Sequence, residues 1–261
     1  MAKKYGMVID LHQCVGCGAC ALGCKNENNT GERADGQSHN WADFIMKTEG
    51  TFPNTRYTQM PVLCNHCTDA PCVMACPVTP TAMFKAEDNT TLHNQDRCIG
   101  CRRCQDACPY SEYVLDDEKY NHGEQYSVIS FNFHGKSTTA KWEDKSELIP
   151  GCTASAAETA AKVGATPPDL NKYQSGDYKP VRRDGVVEKC ILCHHRTTNG
   201  LQPACVDACP ANARIFGDLN DPNSAISKAL KKHAKTVFRL KEDEGTDPNV
   251  YYIRSYNDPT V

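Results

Sequence analysis

No apolar run in the 261 residues approaches the roughly 20 needed to span a bilayer. The first ten residues, Met1 to Asp10, start basic but offer no apolar core of signal-peptide length before Asp10 interrupts them. The expectation is a soluble chain with no secretion signal of its own and no direct membrane insertion. Excess positive charge is also missing: the net charge is -3 and the pI is near 6.3, which excludes a global basic field for nucleic acid or anionic lipid. The basic pairs Arg102-Arg103, Arg182-Arg183 and Lys231-Lys232 read as solvated faces or partner contacts. No proton-transfer or nucleophilic constellation is visible, so the chain is not expected to be an enzyme by itself. Apolar residues make up only 39% and the mean hydropathy is -0.58, little for a fold held by apolar burial alone. The length suffices for one large domain or two small ones, so something besides a large apolar core must contribute.

What the chain has instead is 17 cysteines, and their spacing repeats. Cys98, Cys101, Cys104 and Cys108-Pro109 read C-x2-C-x2-C-x3-C-P, the run with which bacterial ferredoxins hold iron–sulfur clusters and whose fourth cysteine serves a second cluster. Cys14, Cys17, Cys20 and Cys24 repeat it with Lys25 in place of the proline. Cys64, Cys67, Cys72 and Cys76-Pro77 stretch the middle gap, with Ala70-Pro71 in a loop there; Cys190, Cys193, Cys205 and Cys209-Pro210 stretch it further around His194, His195 and Arg196. Only Cys152 is left over, a plain thiol. In every set the last two cysteines are four apart, one turn on the same helical face, which predicts a short helix presenting the final cysteine from its start or body and ended by proline in three sets.

Between the sets, Tyr5 to Leu11 and Val250 to Arg254 read as strands able to pair with each other, and Tyr126 to Phe133 alternates like a third. Asn26 to Asn40 is rich in loop formers and is expected to be an irregular surface loop. Ser111 to Gln125 is an acidic insertion. Ser155 and Glu158 have capping-box spacing ahead of an Ala-rich helix to Val163, Gly164 to Lys179 reads as extended linker, and Asp221-Pro222 can start a helix running to His233.

Structural zinc needs two well-separated C-x2-C pairs, which only the fourth set approaches. Disulfides suit short secreted scaffolds, and cysteines this close would have mutually exclusive pairings. Iron–sulfur ligation accounts for the spacing, and sixteen ligands make four [4Fe-4S] clusters. Sets 2 and 3 are expected to form one two-cluster module, and sets 1 and 4 to close another that brings the chain ends together. The fold class is α+β: two ferredoxin-like modules of short strands and helices plus irregular insertions. The boundaries are 1–60 with 180–261 for sets 1 and 4, 61–135 for sets 2 and 3, and 136–179 for an insertion or linker.

The four sets, with Val62-Leu63-Cys64-Asn65-His66-Cys67 and Pro203-Ala204-Cys205-Val206-Asp207-Ala208-Cys209-Pro210, resemble the iron–sulfur electron-transfer subunits of the dimethyl sulfoxide reductase family of molybdopterin oxidoreductases. The resemblance covers residues 5–110, 126–135 and 185–255. Gly6 to Asp10, Gly217 to Pro222 and Tyr252 to Ser255 are most similar to small subunits of respiratory arsenate reductases, while 111–125 departs from that pattern. The resemblance implies four ligand shells: Cys14, Cys17, Cys20 with Cys209; Cys190, Cys193, Cys205 with Cys24; Cys64, Cys67, Cys72 with Cys108; and Cys98, Cys101, Cys104 with Cys76. Some relatives carry tryptophan at the position of Cys101 and hold three irons there, so a cysteine implies four. His66, His194 and His195 are assigned surface or supporting roles rather than ligation, and Arg102 and Arg103 either raise a cluster potential or form a solvated pair.

The function expected is an electron-transfer subunit relaying electrons to or from a molybdopterin catalytic subunit, with a quinol-oxidising membrane subunit or a soluble carrier at the other end. The rivals are an independent polyferredoxin and an iron–sulfur sensor or scaffold. Family resemblance implies export to the periplasm on the catalytic subunit's twin-arginine signal, with the cytoplasm as alternative.

Overall fold

The computed structural model describes residues 2–31, 37–111, 113–114, 125–135, 144–165 and 183–255. The strands are β1 (Tyr5–Asp10), β2 (Ala42–Thr51), β3 (Asn54–Leu63), β4 (Met83–Lys85), β5 (Thr91–His93), β6 (Tyr113–Val114), β7 (Gln125–Tyr126), β8 (Ile129–Phe131), β9 (Val187–Lys189), β10 (Arg214–Asp218) and β11 (Val250–Ile253). The helices are α1 (Ala19–Asn28), α2 (Pro71–Met74), α3 (Arg103–Asp106), α4 (Ala156–Val163), α5 (His194–Thr197), α6 (Ala204–Asp207) and α7 (Ala225–Lys232). Short strands and short helices joined by irregular chain make this an α+β fold, and no described helix is long and apolar enough to cross a membrane.

The chain ends meet in one sheet. β1 lies between β10, to which it is antiparallel (Tyr5 opposite Asp218), and β11, to which it is parallel (Met7 opposite Val250). Strand alternation sends Met7 and Ile9 toward the main core and Val8 to the other face, where Ile226 of α7 and Ile253 cover it. Arg254 closes the edge by pairing with Asp10. The main core is built largely of thiols: ten of the seventeen cysteines are buried, and most of them pack with Trp41, Phe44, Leu63, Met83, Tyr126 and Ile191. This is how a chain poor in apolar residues still fills an interior.

Several expectations are corrected. The 26–40 stretch is not a surface loop throughout, because α1 runs on to Asn28, and Glu27, Asn28, Gln37, Ser38 and His39 are buried. Without proline after Cys24, nothing stops that helix. In the three proline sets the helix carries the third cysteine and ends before the fourth: α2, α3 and α6 stop at residues 74, 106 and 207, and Cys76, Cys108 and Cys209 follow outside them. A residue preceding proline is driven out of the helical region, which explains the exclusion. Pro71 does not sit in a loop but opens α2. The strand expected over 126–133 is split into β7 and β8, and α7 begins at its Ser224 cap instead of at Pro222. The α4 capping box forms as expected, between Ser155 and Glu158. The linker at 164–179 lies almost wholly outside the described residues, as does most of the 111–125 insertion.

Candidate iron–sulfur centres

The short helices place the sulfurs. On α1, Cys20 and Cys24 are one turn apart, and Cys205 on α6 with Cys209 just beyond it faces them. Gly23 permits the approach, since a Cβ there would lie 2.7 Å from that of Ala208. Gly100, with φ +69°, makes the corresponding tight passage in the third set: a Cβ would sit 2.2 Å from the Gly185 carbonyl oxygen.

Four cavities result, and each is lined by four cysteines. The first, with free space of about 340 Å³, has Cys14, Cys17, Cys20 and Cys209. The second, about 280 Å³, has Cys24, Cys190, Cys193 and Cys205. The third, about 330 Å³, has Cys64, Cys67, Cys72 and Cys108. The fourth, about 300 Å³, has Cys76, Cys98, Cys101 and Cys104. Every cavity thus takes three cysteines of one set and the last cysteine of another. All ligand candidates of the second and third cavities are buried, whereas Cys17 and Cys101 leave the first and fourth exposed. The two closed cavities are the inner ones: Cys20 and Cys24 tie the first cavity to the second, Cys72 and Cys76 tie the third to the fourth, and Tyr126 is buried in the core shared by Cys64 and Cys190.

The donor set fits iron–sulfur clusters. All seventeen cysteines are free of disulfides. Four sulfurs around an enclosed space suit a cubane, not a tetrahedral zinc. Backbone N–H groups already point at the sulfurs, from Ala82 to Cys76 (3.3 Å), Gly100 to Cys98 (3.4 Å), Leu192 to Cys190 (3.3 Å) and Ala213 to Cys209 (3.3 Å). Burial pushes the Cys72, Cys104 and Cys193 thiols up to about 12, and those of Cys24, Cys108, Cys190 and Cys205 are raised as well, for the same reason first. Thiolates there need a cationic partner, which iron supplies.

Some of the surrounding residues were not anticipated. Arg214, buried at the first cavity, keeps its charge: burial opposes it, but Cys205 and Cys20 outweigh the burial. Lys189 lines the third cavity and is fully buried. Glu27 binds His195 (3.0 Å) and Arg196 (3.3 Å), tying the long excursion of the fourth set to α1. Both Glu27 and Asn28 follow Cys24 at helical spacing, a signal hidden by reading a loop there. His66, His194 and His195 are all buried, which rules out surface roles, and none lines any of the four cysteine-lined cavities. The His66 imidazole accepts the Thr91 N–H (3.2 Å) and is held neutral by burial and by Lys189. Arg102 lines the fourth cavity and stacks over Phe131 and Phe133 instead of standing free in solvent. Cys152 is exposed and lines none of the four cysteine-lined cavities.

Comparison with known proteins defines the class. Residues 55–125 and 173–219 match the 4Fe-4S dicluster domain. Over 259 residues, 99% of both chains, the sequence is 44% identical to the arsenate respiratory reductase iron–sulfur subunit ArrB of Shewanella sp. (strain ANA-3). It is 34% identical to a putative dimethyl sulfoxide reductase iron–sulfur subunit of Halobacterium salinarum, covering 98% of this chain and 81% of that protein. Against a subunit of tetrathionate reductase from Salmonella typhimurium the identity is 31%, over 96% and 72%. The chain belongs to the iron–sulfur subunits of the dimethyl sulfoxide reductase family. Within its complex it is the electron-transfer subunit, not the catalytic one, and its cofactors are four [4Fe-4S] clusters.

Proposed function

We infer that the four cysteine-lined cavities are the four ligand shells, in the distribution given by their linings: Cys14, Cys17, Cys20, Cys209; Cys24, Cys190, Cys193, Cys205; Cys64, Cys67, Cys72, Cys108; and Cys76, Cys98, Cys101, Cys104. The observation carrying this reading is that each cavity takes three cysteines from one set and the closing cysteine of another. The first two shells with the terminal sheet form one ferredoxin-like module, residues 1–60 with 180–261; the other two form the second, residues 61–135; 136–179 is insertion. When bound, the clusters supply one-electron exchange. The protein links them within each module through cysteines four residues apart, excludes water from the inner pair, and leaves an exit at each end, where Val15 and Ile99 are exposed beside Cys17 and Cys101.

The catalytic partner in this reading is a molybdopterin subunit docked at the Cys17 end, and a quinol-oxidising membrane subunit or a soluble carrier meets the Cys101 end. The near full-length similarity to an arsenate respiratory reductase subunit supports an oxyanion, arsenate first, as the partner's substrate. Export folded on a twin-arginine partner would place the complex in the periplasm. Anaerobic purification tests the whole: the chain should hold 4 × 4 = 16 irons, stay bound to one molybdenum protein and fractionate with periplasmic markers. Far fewer irons would refute the shells, a chain shared among several enzymes would make it a polyferredoxin, and a cytosolic complex would refute the export.

A further inference from the structure

Lys189 is the last residue of β9 and is 1% exposed. Its Nζ donates to the carbonyl oxygens of Thr91 (2.5 Å) and Cys190 (2.6 Å). A lysine has three N–H donors, so one remains, and the side chain lines the cavity of Cys64, Cys67, Cys72 and Cys108. Among the described residues it forms no ion pair with a carboxylate. The carboxylate nearest in sequence, Glu188, points to the other face of the strand, where Asn132 donates to it (3.3 Å) and His39 lies 3.7 Å away. An ammonium buried without opposite charge is strongly unfavourable. The ammonium borders the cavity of Cys64, Cys67, Cys72 and Cys108, and through the Cys190 carbonyl it is held at a residue lining the other inner cavity, so the two clusters are the groups placed to compensate it. Two further cations are placed differently. Arg214 lines the first cavity with Cys20, and Lys85 is only partly buried and bonds the Cys67 carbonyl oxygen (2.7 Å). Lys189 therefore stands where the two inner centres meet.

We propose that Lys189 is a positioning residue for electron transfer: a fixed positive charge at the junction of the two inner centres that raises the reduction potential of both. Reduction adds a negative charge to a centre, and a nearby cation in a water-poor interior stabilises the reduced form more than the oxidised one. Two backbone carbonyls hold the ammonium in place, so the charge cannot swing away from either centre. The outer centres, open to solvent at Cys17 and Cys101, feel it much less. The proposal rests on the assignment of the four cavities as ligand shells.

The test is an EPR-monitored redox titration of the holo-chain bound to its catalytic subunit, comparing wild type with Lys189→Met and Lys189→Arg. Wild type must first show 16 irons in four centres; if it does not, the shell assignment fails whatever Lys189 does. In Lys189→Met, two centres should titrate lower, with about a tenfold fall in the reduced-to-oxidised ratio at fixed ambient potential, about 59 mV for a one-electron couple. The other two should move far less, and Lys189→Arg should titrate like wild type. Four unchanged potentials in a fully loaded Lys189→Met, or four shifted equally, would overturn the proposal. Should Lys189→Met fail to load, full loading of Lys189→Arg would show that the position requires the charge, in support. Failure of Lys189→Arg as well would mean that it requires the lysine's shape, and would overturn the proposal.

Discussion

Gly23 sits between Cys20 and Cys24 and has no room for a side chain, because its missing Cβ is what lets α1 reach Ala208. Gly23→Val should push α1 and α6 apart at an overpacking cost of about 1–3 kcal/mol. The sulfurs of the first and second cavities are then displaced while those of the third and fourth are not. Iron per chain should fall toward half and the denaturant midpoint should drop; full iron with an unchanged midpoint would show that the helices yield freely. A second residue sets a pH dependence. His93 is buried, and burial first, with the Lys189 charge second, lowers its pKa to about 3. A folded-state value below the unfolded one of about 6.5 means its contribution is complete above pH 6.5 and is lost as pH falls toward 3. At pH 5 the loss is about 2 kcal/mol. His93→Phe removes the titration, so its stability should fall by about that much less between pH 7 and pH 5; parallel curves for variant and wild type would contradict the assignment.

Elements differ in how far the sequence reveals them, and the reasons are physical. β1, β11 and α4 were legible because each carries its own local signal: a buried apolar run in β1 and β11, and a cap with Ala-rich continuation in α4. The helices α2, α3 and α6 have four residues each, too few for any hydrophobic period, and only the cysteine spacing disclosed them. Their ends were misjudged because the rule governing a residue before proline outweighs the four-residue spacing of the sulfurs. The hairpin of β2 and β3 was missed altogether. Its inner half is buried at Ala42–Phe44 and Val62–Leu63, where Pro61 accepts the Tyr252 hydroxyl (2.8 Å), but from Thr48 to Arg56 it is exposed, so no alternation marks it. That asymmetry has a measurable consequence. Replacing residues 48–57 with a two-residue turn should leave the iron content intact and the stability within about 0.5 kcal/mol, as for surface changes generally. A loss of iron from the first cavity would show that the tip supports it after all. The buried cations Lys189 and Arg214 were invisible for another reason: a lysine or arginine is ordinarily a surface residue, and only the cavities beside them explain their burial.

Across the whole molecule, cysteine accessibility divides the four cavities into two kinds. The outer cavities each expose one cysteine and leave others half-buried, while the inner cavities bury all four. The inner ones are also where parts of the chain far apart in sequence are tied together. Asn249 donates to the His66 carbonyl oxygen (2.7 Å), Tyr110 bonds Thr246 (2.6 Å), and Lys189 joins Thr91 to Cys190. Iron at the outer centres can therefore be reached by chelator from the native state, whereas iron at the inner ones can be reached only after the core opens. Treatment of the anaerobic protein with chelator and mild oxidant should remove roughly half of the sixteen irons in a fast phase that leaves the circular dichroism spectrum unchanged. The remainder should leave in a slow phase coincident with loss of the spectrum, because the raised thiol pKa values and the empty space leave the inner cavities without support once the metal is gone. Denaturant should accelerate the slow phase and leave the fast one alone. A single phase for all the iron, with the spectrum lost from its start, would mean that the outer centres hold the fold as firmly as the inner pair.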